Sequence, residues 1–210
     1  MIEVGLAGGF RASGTGHAFF WYTSAMKRIL FCLLAALLAG CATVLERATP
    51  AAVRLGEVKV ETVALVEALR ARAGVSVQAL NGSWRDQAFQ AQCVAKGDGE
   101  TLTLVFLAPQ MRLLTITVTR PHAIRCERAP RIPAAFEPEY ALVDYAFANL
   151  DAATLRRVAG TALRIEDDGT TRRIATAAGE PVAELTRAAD GTRRFRNLLH
   201  GYEYQIKDIP

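Results

Sequence analysis

Apolar and polar residues alternate along most of the second part of the chain, and turn signals interrupt the alternation at regular intervals. The pattern begins where Val75, Val77 and Ala79 alternate with Ser76 and Gln78. Successive side chains of a strand point to opposite faces of a sheet, so this period of two predicts strands that are buried on one face only. The spacing of the turns by about ten residues predicts roughly nine strands, arranged as antiparallel meanders.

Glycine, proline, asparagine and aspartate mark the predicted turns. Glycine supplies positive φ angles, and an Asn-Gly pair between alternating segments is the strongest short signal for a hairpin. The predicted turns are Asn81-Gly82, Gly97-Asp98-Gly99, Pro109-Gln110, Asp167-Asp168-Gly169, Gly179 and Asp190-Gly191. Each of them is expected to reverse the chain between two neighbouring strands.

Three segments follow a helical pattern instead. The first is predicted from Thr62 to Ala73, ended by Gly74. In mid-chain, Pro138 suits the first turn of a helix, and Asp151 is placed to cap a shorter helix that ends at Gly160. The apolar stripe of the mid-chain helix consists of Tyr140, Val143, Phe147 and Leu150. The predicted fold class is therefore α+β, mainly β: a curled antiparallel sheet or half-open β-barrel with an N-terminal helix and a mid-chain helical insert.

The amino-terminal segment has the pattern of an export signal. Lys27 and Arg28 precede an apolar stretch from Ile29 to Leu38, and a basic start followed by a short apolar stretch is typical of secretory signal peptides. The uninterrupted apolar run from Ile29 to Gly40 would measure about 18 Å as a helix, against a hydrocarbon core of about 30 Å, so it is too short to span a bilayer comfortably. We expect translation to begin at Met26, with residues 1–25 a mis-assigned extension.

The apolar stretch ends in Leu38-Ala39-Gly40-Cys41, which resembles the lipobox of bacterial lipoproteins. The resemblance implies that residues 26–40 are removed as a signal peptide and that Cys41 is lipidated. Ala42 stands where lipoproteins retained at an inner membrane commonly have Asp. The resemblance therefore also implies an anchor in the outer membrane, on its periplasmic face.

Residues 41–56 are predicted as a tether, and residues 57–210 as a single β-rich domain. A strongly curled sheet has an apolar inner face that either the inserted helices or a ligand must fill. The candidate ligand-binding residues are Phe89, Leu102, Leu104, Phe106, Leu114, Ile116, Val118, Tyr140, Phe147, Tyr202 and Tyr204. Two interpretations remain open: a cavity that accepts an acyl chain, or an ordinary dry core packed against the mid-chain helix.

Three segments of the domain, together with the lipobox, resemble a known family. They are TLTLVFLAPQMR from Thr101 to Arg112, the helix start at Pro138-Glu139-Tyr140, and the final strand at Gly201-Tyr202-Glu203-Tyr204. The family consists of uncharacterised proteobacterial lipoproteins whose genes often lie among those for aryl-polyene or fatty-acid-like biosynthesis, and which look like distant relatives of LolA and LolB. The resemblance covers about residues 60–209. It implies an incomplete barrel, closed by helices, that holds acyl chains.

Cysteine and histidine give no strong signal for catalysis or for metal binding. Cys93, Cys126 and His122 would supply three soft ligands, whereas zinc usually takes four. In a simple meander Cys93 and Cys126 lie about 14 Å apart, beyond the roughly 7 Å between Cα atoms that a disulfide allows. A disulfide between them is therefore not expected unless the sheet closes differently. We expect no cofactor, no bound metal and no enzymatic activity.

The number and distribution of charged residues indicate which kinds of partner the protein can bind. The formal net charge of +4 comes from basic residues that are spread along the chain, so a nucleic-acid partner is not expected. Arg193, Arg194 and Arg196 either contact lipid phosphates at the rim of the sheet or form a solvated strand face. We expect a lipid-anchored periplasmic protein that binds or shuttles a hydrophobic or acylated ligand. The alternative is a structural or assembly lipoprotein with a dry core, which acts through a periplasmic protein partner.

Overall fold

The computed structural model describes residues 43–47, 52–72, 74–84, 87–120, 123–130, 132 and 137–210. The described chain forms thirteen strands and three helices. Their bounds are β1 Thr43–Arg47, β2 Val53–Leu55, β3 Val58–Val60, α1 Thr62–Arg70, β4 Gly74–Trp84, β5 Gln87–Gly97, β6 Thr101–Ala108, β7 Met111–Thr119, β8 Ala123–Arg128, α2 Pro138–Asn149, α3 Ala152–Ala159, β9 Leu163–Asp167, β10 Thr171–Thr176, β11 Pro181–Arg187, β12 Arg193–Asn197 and β13 Tyr202–Ile209. None of the described helices has the length and apolar character that a membrane span requires.

One large antiparallel sheet dominates the fold. Its eleven strands follow the order β1-β8-β7-β6-β5-β4-β13-β12-β11-β10-β9, and β2 and β3 form a separate hairpin. The last strand, β13, pairs with β4 and so joins the meander β4–β8 to the meander β9–β13. The curled sheet is not closed, because β1 and β9 remain its edges. The predicted fold class, mainly β with a curled antiparallel sheet and a few helices, is confirmed.

Aspartate side chains build two of the predicted turns. The Asp98 Oδ1 atom accepts a hydrogen bond from the Thr101 backbone N–H at 2.7 Å, and Asp168 Oδ1 accepts one from Thr171 at the same distance. Such bonds satisfy backbone donors that the reversing chain leaves unpaired. Gly169 follows Asp168 with a φ of 91°, a conformation that residues with a Cβ rarely adopt. These turns lie where the sequence predicted them.

The Asn81-Gly82 pair is not a turn, so the strongest predicted hairpin is wrong. Both residues lie inside β4, where Gly82 pairs with Phe89 on one side and with Tyr204 on the other. A Cβ atom on Gly82 would lie 2.2 Å from the carbonyl oxygen of Glu203. The glycine therefore serves the close approach of β13 rather than a reversal of the chain.

Two short strands lie within residues 41–56, the segment predicted as a tether. Residues 43–47 form the edge strand β1, which pairs with β8, and residues 53–55 pair with 58–60 in the small hairpin. Backbone hydrogen bonds stabilise short strands like these, whose few residues give no clear periodicity. For the same reason the prediction of about nine strands was too low.

Helix α2 fills the inner side of the curled sheet. Within its predicted stripe, Val143, Phe147 and Leu150 are at most 2% exposed, whereas Tyr140 is half-buried. Burying an apolar side chain of this size contributes about 1.5–3 kcal/mol. Helix α1 begins at Thr62, as predicted, and ends at Arg70 rather than at Ala73.

The carboxyl end of α2 is held by a buried arginine. Arg172 on β10 donates to the backbone oxygens of Phe147 at 2.8 Å and Leu150 at 2.6 Å, and its Nε bonds the Asp167 carboxylate at 2.7 Å. Burial raises the pKa of Asp167, but hydrogen bonds from Arg187 and Arg172 outweigh it and hold this pKa well below its ordinary value. This network fixes one end of the helix to the sheet.

Candidate functional site

The inner face of the sheet becomes more exposed toward one end. On three strands of the joined meanders the inner-face side chains change from buried to half-buried in the same direction. From the buried side to the half-buried side they are Ala95, Cys93, Ala91 and Phe89 on β5, Leu104 and Phe106 on β6, and Ile206, Tyr204 and Tyr202 on β13. This end, which we call the aromatic end, is defined by Phe89, Phe106, Tyr140, Tyr202 and Tyr204.

The rings at the aromatic end form a contact chain. The ring centroid of Tyr204 lies 6.4 Å from that of Phe89 and 6.4 Å from that of Tyr202. His200 continues the chain, with its ring 6.3 Å from Tyr202 and 4.7 Å from Tyr140 in an edge-on arrangement. The Phe89–Tyr204 and Tyr140–His200 contacts are tilted or edge-on, whereas the two contacts of Tyr202 are stacked, and aromatic pairs adopt both arrangements. The chain links strand β5 to the first turn of α2.

The pairing of the strands explains why this end stays open. Strand β5 pairs with β4 along its whole length, but with β6 only from Gln92 onward. Phe89 and Ala91 therefore lie on a part of β5 that β6 does not flank. A register shift between Phe106 and Leu107 also disturbs the β6–β7 ladder here, and such bulges bend a strand.

A buried carboxylate lies beneath the aromatic rings. Asp144 on α2 accepts hydrogen bonds from Asn197 Nδ2 at 3.1 Å and from the Tyr202 hydroxyl. Burial raises the pKa of Asp144 to about 7, although both hydrogen bonds act in the opposite direction. Asn197 Oδ1 in turn accepts from the His200 backbone N–H at 2.9 Å. The carboxylate therefore ties the middle of α2 to the turn between β12 and β13 and to the strand residues that flank it.

The predicted ligand-binding residues divide into two groups. The members of the first group are at most 5% exposed and belong to the hydrophobic core. They are Leu102, Leu104, Leu114, Ile116, Val118 and Phe147. The remaining five, Phe89, Phe106, Tyr140, Tyr202 and Tyr204, are half-buried and pack against the core. Ring contacts that include His200 join Phe89, Tyr204, Tyr202 and Tyr140 at the aromatic end.

The other candidate residues are placed as follows. Cys93 on β5 and Cys126 on β8 are both 1% exposed and are separated by two strands, and burial raises the pKa of Cys93 to about 12. Cys41 and His122 lie outside the described residues. Within the described part of the chain, no three acidic, histidine or cysteine side chains cluster as metal ligands.

The three arginines of β12 point in two directions. Arg194 and Arg196 bond Glu203, at 2.6 Å and 3.6 Å, on the outer face. Arg193 instead points inward, where its guanidinium bonds the backbone oxygen of Ala148 at 2.9 Å. The strand alternation thus separates the solvated pair from the one arginine that faces α2.

Sequence reasoning missed Asp144 and Asn197. Asp144 lies four positions after Tyr140, so the helical period places it on the apolar stripe, where a lone acid signals a buried polar contact. Asn197 lies two positions after Phe195, which is buried. Residues two apart on a strand share a face, so this spacing could have predicted that Asn197 is buried as well. The hydrogen bond between Asp144 and Asn197 joins segments that are far apart in the chain, so neither the helical period nor the strand alternation could predict it.

These features define a helix-packed protein with an open, curled antiparallel sheet and a partly uncovered apolar inner face. The chain belongs to the family described as "Protein of unknown function (DUF3261)", whose model matches residues 75–210. The match includes every residue of the aromatic end, and it confirms the expected membership of an uncharacterised family. No curated protein matches the chain.

Proposed function

We propose that this protein is a lipid-anchored periplasmic protein of the outer membrane that binds or shuttles a hydrophobic or acylated ligand at the aromatic end, without catalysis. The carrying observation is the change from buried to half-buried side chains on three strands toward the same end. Half-buried rings on the inside of a curled sheet offer apolar surface that the fold itself leaves uncovered. An acyl chain is the kind of ligand that such a surface fits.

The chemistry of the aromatic end supports an apolar ligand. The five side chains that define it carry no formal charge, and the nearby Asp144 carboxylate is buried and already hydrogen-bonded. Each methylene taken out of water contributes about 0.8 kcal/mol, so ten methylenes would supply roughly 8 kcal/mol, the free energy of a micromolar complex, before the losses of binding. Contact with part of an acyl chain would therefore supply a favourable free energy of this size, from which the losses of binding are subtracted.

The proposed anchor rests on the amino-terminal pattern. A basic start, a short apolar stretch and Leu38-Ala39-Gly40-Cys41 resemble a lipoprotein signal. Several acyl chains on one cysteine would hold the protein at the membrane, since one chain alone binds only marginally. An anchor of this kind would keep the aromatic end close to a source of acylated molecules.

The ligand is tested by lipid analysis of the full chain. We expect protein extracted from cells in a mild detergent to retain a lipid that mass spectrometry detects at a constant molar ratio. Phe89→Asp, which adds a charge to the half-buried inner face, is expected to lower this ratio at least tenfold. Ala88→Asp places the same charge on the neighbouring exposed position of β5 and serves as the control.

The outcomes separate the proposal from its alternative. No retained lipid in the unmodified protein, or equal retention in Phe89→Asp and Ala88→Asp, would exclude ligand binding at the aromatic end. Circular dichroism and thermal unfolding of both variants establish that the comparison is between folded proteins.

The alternative is an assembly lipoprotein that acts through a periplasmic protein partner. One observation favours it: Leu104, Ile116 and Val118 are 0% exposed, so much of the predicted lining is packed core. In that case cross-linking in cells should capture a specific periplasmic protein, while lipid retention is absent.

A further inference from the structure

A separate cavity lies at the end of the sheet opposite to the aromatic end. It has a volume of about 360 Å³ and lies between the carboxyl ends of α1 and α2 and the first residues of β4. Its size falls within the range of small-molecule sites, about 300–1,000 Å³. Its polar walls include Arg72, Ser76, Gln78, Tyr145, Asn149 and Arg193.

Two guanidinium groups converge on one residue of this cavity. Arg72 Nη1 donates to the backbone oxygen of Asn149, and Arg193 Nη1 donates to its side-chain Oδ1 at 3.2 Å. Arg193 also bonds Asp208 Oδ1 at 2.8 Å, and the lining contains this one carboxylate and two guanidinium groups. The lining therefore carries a net positive charge. Arg72 is exposed. Its guanidinium has five N–H donors, so donors other than the one that bonds Asn149 can bond a ligand.

The floor of the cavity is preorganised. Gln78 is 3% exposed, and its Nε2 donates to Asn149 Oδ1 at 2.7 Å and to Asp208 Oδ1 at 2.9 Å. The hydroxyls of Ser76 and Tyr145 lie 2.9 Å apart. Only one of the two can donate to the other, so the second retains a proton for a ligand. Leu69 and Leu102 add buried apolar surface to the same wall.

We propose that this cavity binds a small organic anion, whose carboxylate or phosphate group bonds Arg72 and the Ser76–Tyr145 hydroxyl pair and whose short apolar part lies against Leu69 and Leu102. A planar guanidinium matches the two oxygens of such a group, and these charge-assisted bonds are the strong ones. The excess of positive charge favours an anion over a neutral molecule of the same shape. The site does not depend on ligand binding at the aromatic end.

The test is a titration of the full chain in a non-ionic detergent, followed by NMR at the side-chain amides of Gln78 and Asn149. The probes are sodium hexanoate, inorganic phosphate and hexan-1-ol, each at ionic strength matched with sodium chloride. Hexanoate is expected to shift both amides with saturation, phosphate to shift them more weakly, and hexanol to leave them unchanged. Arg72→Gln should weaken hexanoate binding at least tenfold, while Arg72→Lys should retain part of it.

Arg157→Gln is the matched control, because Arg157 is likewise exposed near the end of a helix but lies on α3, outside the cavity lining. Three results would overturn the proposal: no saturable shift with either anion, equal hexanoate binding by Arg72→Gln and Arg157→Gln, or binding of phosphate without binding of hexanoate. Unchanged backbone amide spectra of both variants at residues away from the substituted positions and the cavity, recorded without probe, verify that the fold is intact.

Discussion

Because Gly82 has no side chain, strands β4 and β13 can lie close together at this position. The position lies in the interior of β4, and an added Cβ would meet the Glu203 carbonyl oxygen at 2.2 Å and the Tyr204 Cβ at 2.5 Å. Both atoms belong to β13 and cannot rotate away. We therefore expect Gly82→Ala to force the strands apart and to lower the free energy of unfolding by about 1–3 kcal/mol.

Urea denaturation measures this effect, with Asn81→Ala as the control, because Asn81 is exposed on the same strand. An exposed substitution of this kind usually changes stability by less than about 0.5 kcal/mol. Equal stability of the two variants would contradict the close approach of β13.

Asp144 predicts a pH dependence of stability. Burial raises its pKa in the folded protein from 3.8 to about 7. Between these values the folded state binds more protons at this site than the unfolded state, so the free energy of unfolding falls as the pH rises from about 4 to about 7 and is then level. The full effect is roughly 4 kcal/mol.

The Asp144→Asn variant cannot ionise at this position. Its free energy of unfolding should therefore not show this fall between about pH 4 and pH 7, and at pH 8 the variant should be at least as stable as the original protein. Urea midpoints at several pH values between 4 and 8 provide the measurement. An identical pH profile of the two proteins would show that Asp144 does not titrate in this range.

At the scale of single elements, α2 is fixed more firmly at its carboxyl end than at its amino end. Arg172 is 3% exposed and bonds two backbone oxygens of this end together with Asp167. Arg172→Met leaves the two backbone oxygens without a donor and leaves Asp167 with Arg187 as its guanidinium partner, so we expect a loss of about 2–4 kcal/mol of unfolding free energy.

Arg173→Met is the matched control for this element. Arg173 is the next residue of β10 and points outward, with its side chain 60% exposed and 4.0 Å from Glu184. Exposed pairs of this kind contribute about 0–1 kcal/mol. Hydrogen exchange should accelerate at residues 147–150 in Arg172→Met only, and equal exchange in both variants would argue against the anchor.

The elements could be predicted from the sequence where the signal is local. The Asp98 and Asp168 turns, and the cap that Asp151 provides to Thr154 at 2.8 Å, depend on residues a few positions apart. Asn81-Gly82 was wrongly predicted as a turn because the glycine is required by the close approach of β13, which lies more than a hundred positions further along the chain. Likewise, periodicity identified the inner face, but which part of it α2 covers depends on tertiary packing that no strand pattern contains.

At the scale of the whole molecule, the β4–β13 pairing turns two meanders into one sheet and leaves two different ends. At one end half-buried rings lie on the inner face of the sheet, and at the other end two arginines help to line a cavity. Helix α2 lies between them, with Asp144 bonded toward the first end and Asn149 toward the second. The two proposed sites are therefore separated by packed core and should bind their ligands independently.

The attachment of the whole molecule to the membrane gives the last prediction. If Cys41 receives the acyl chains, Cys41→Ala in the full chain should move the protein from the membrane fraction to the soluble fraction or stall its processing. Cys32→Ala changes a cysteine inside the apolar stretch of the signal and should leave both unchanged. Intact-mass analysis of the membrane-extracted protein should give an acylated chain that begins at Cys41. A mature protein that retains residues 1–25, or equal membrane attachment in the two variants, would contradict the anchor.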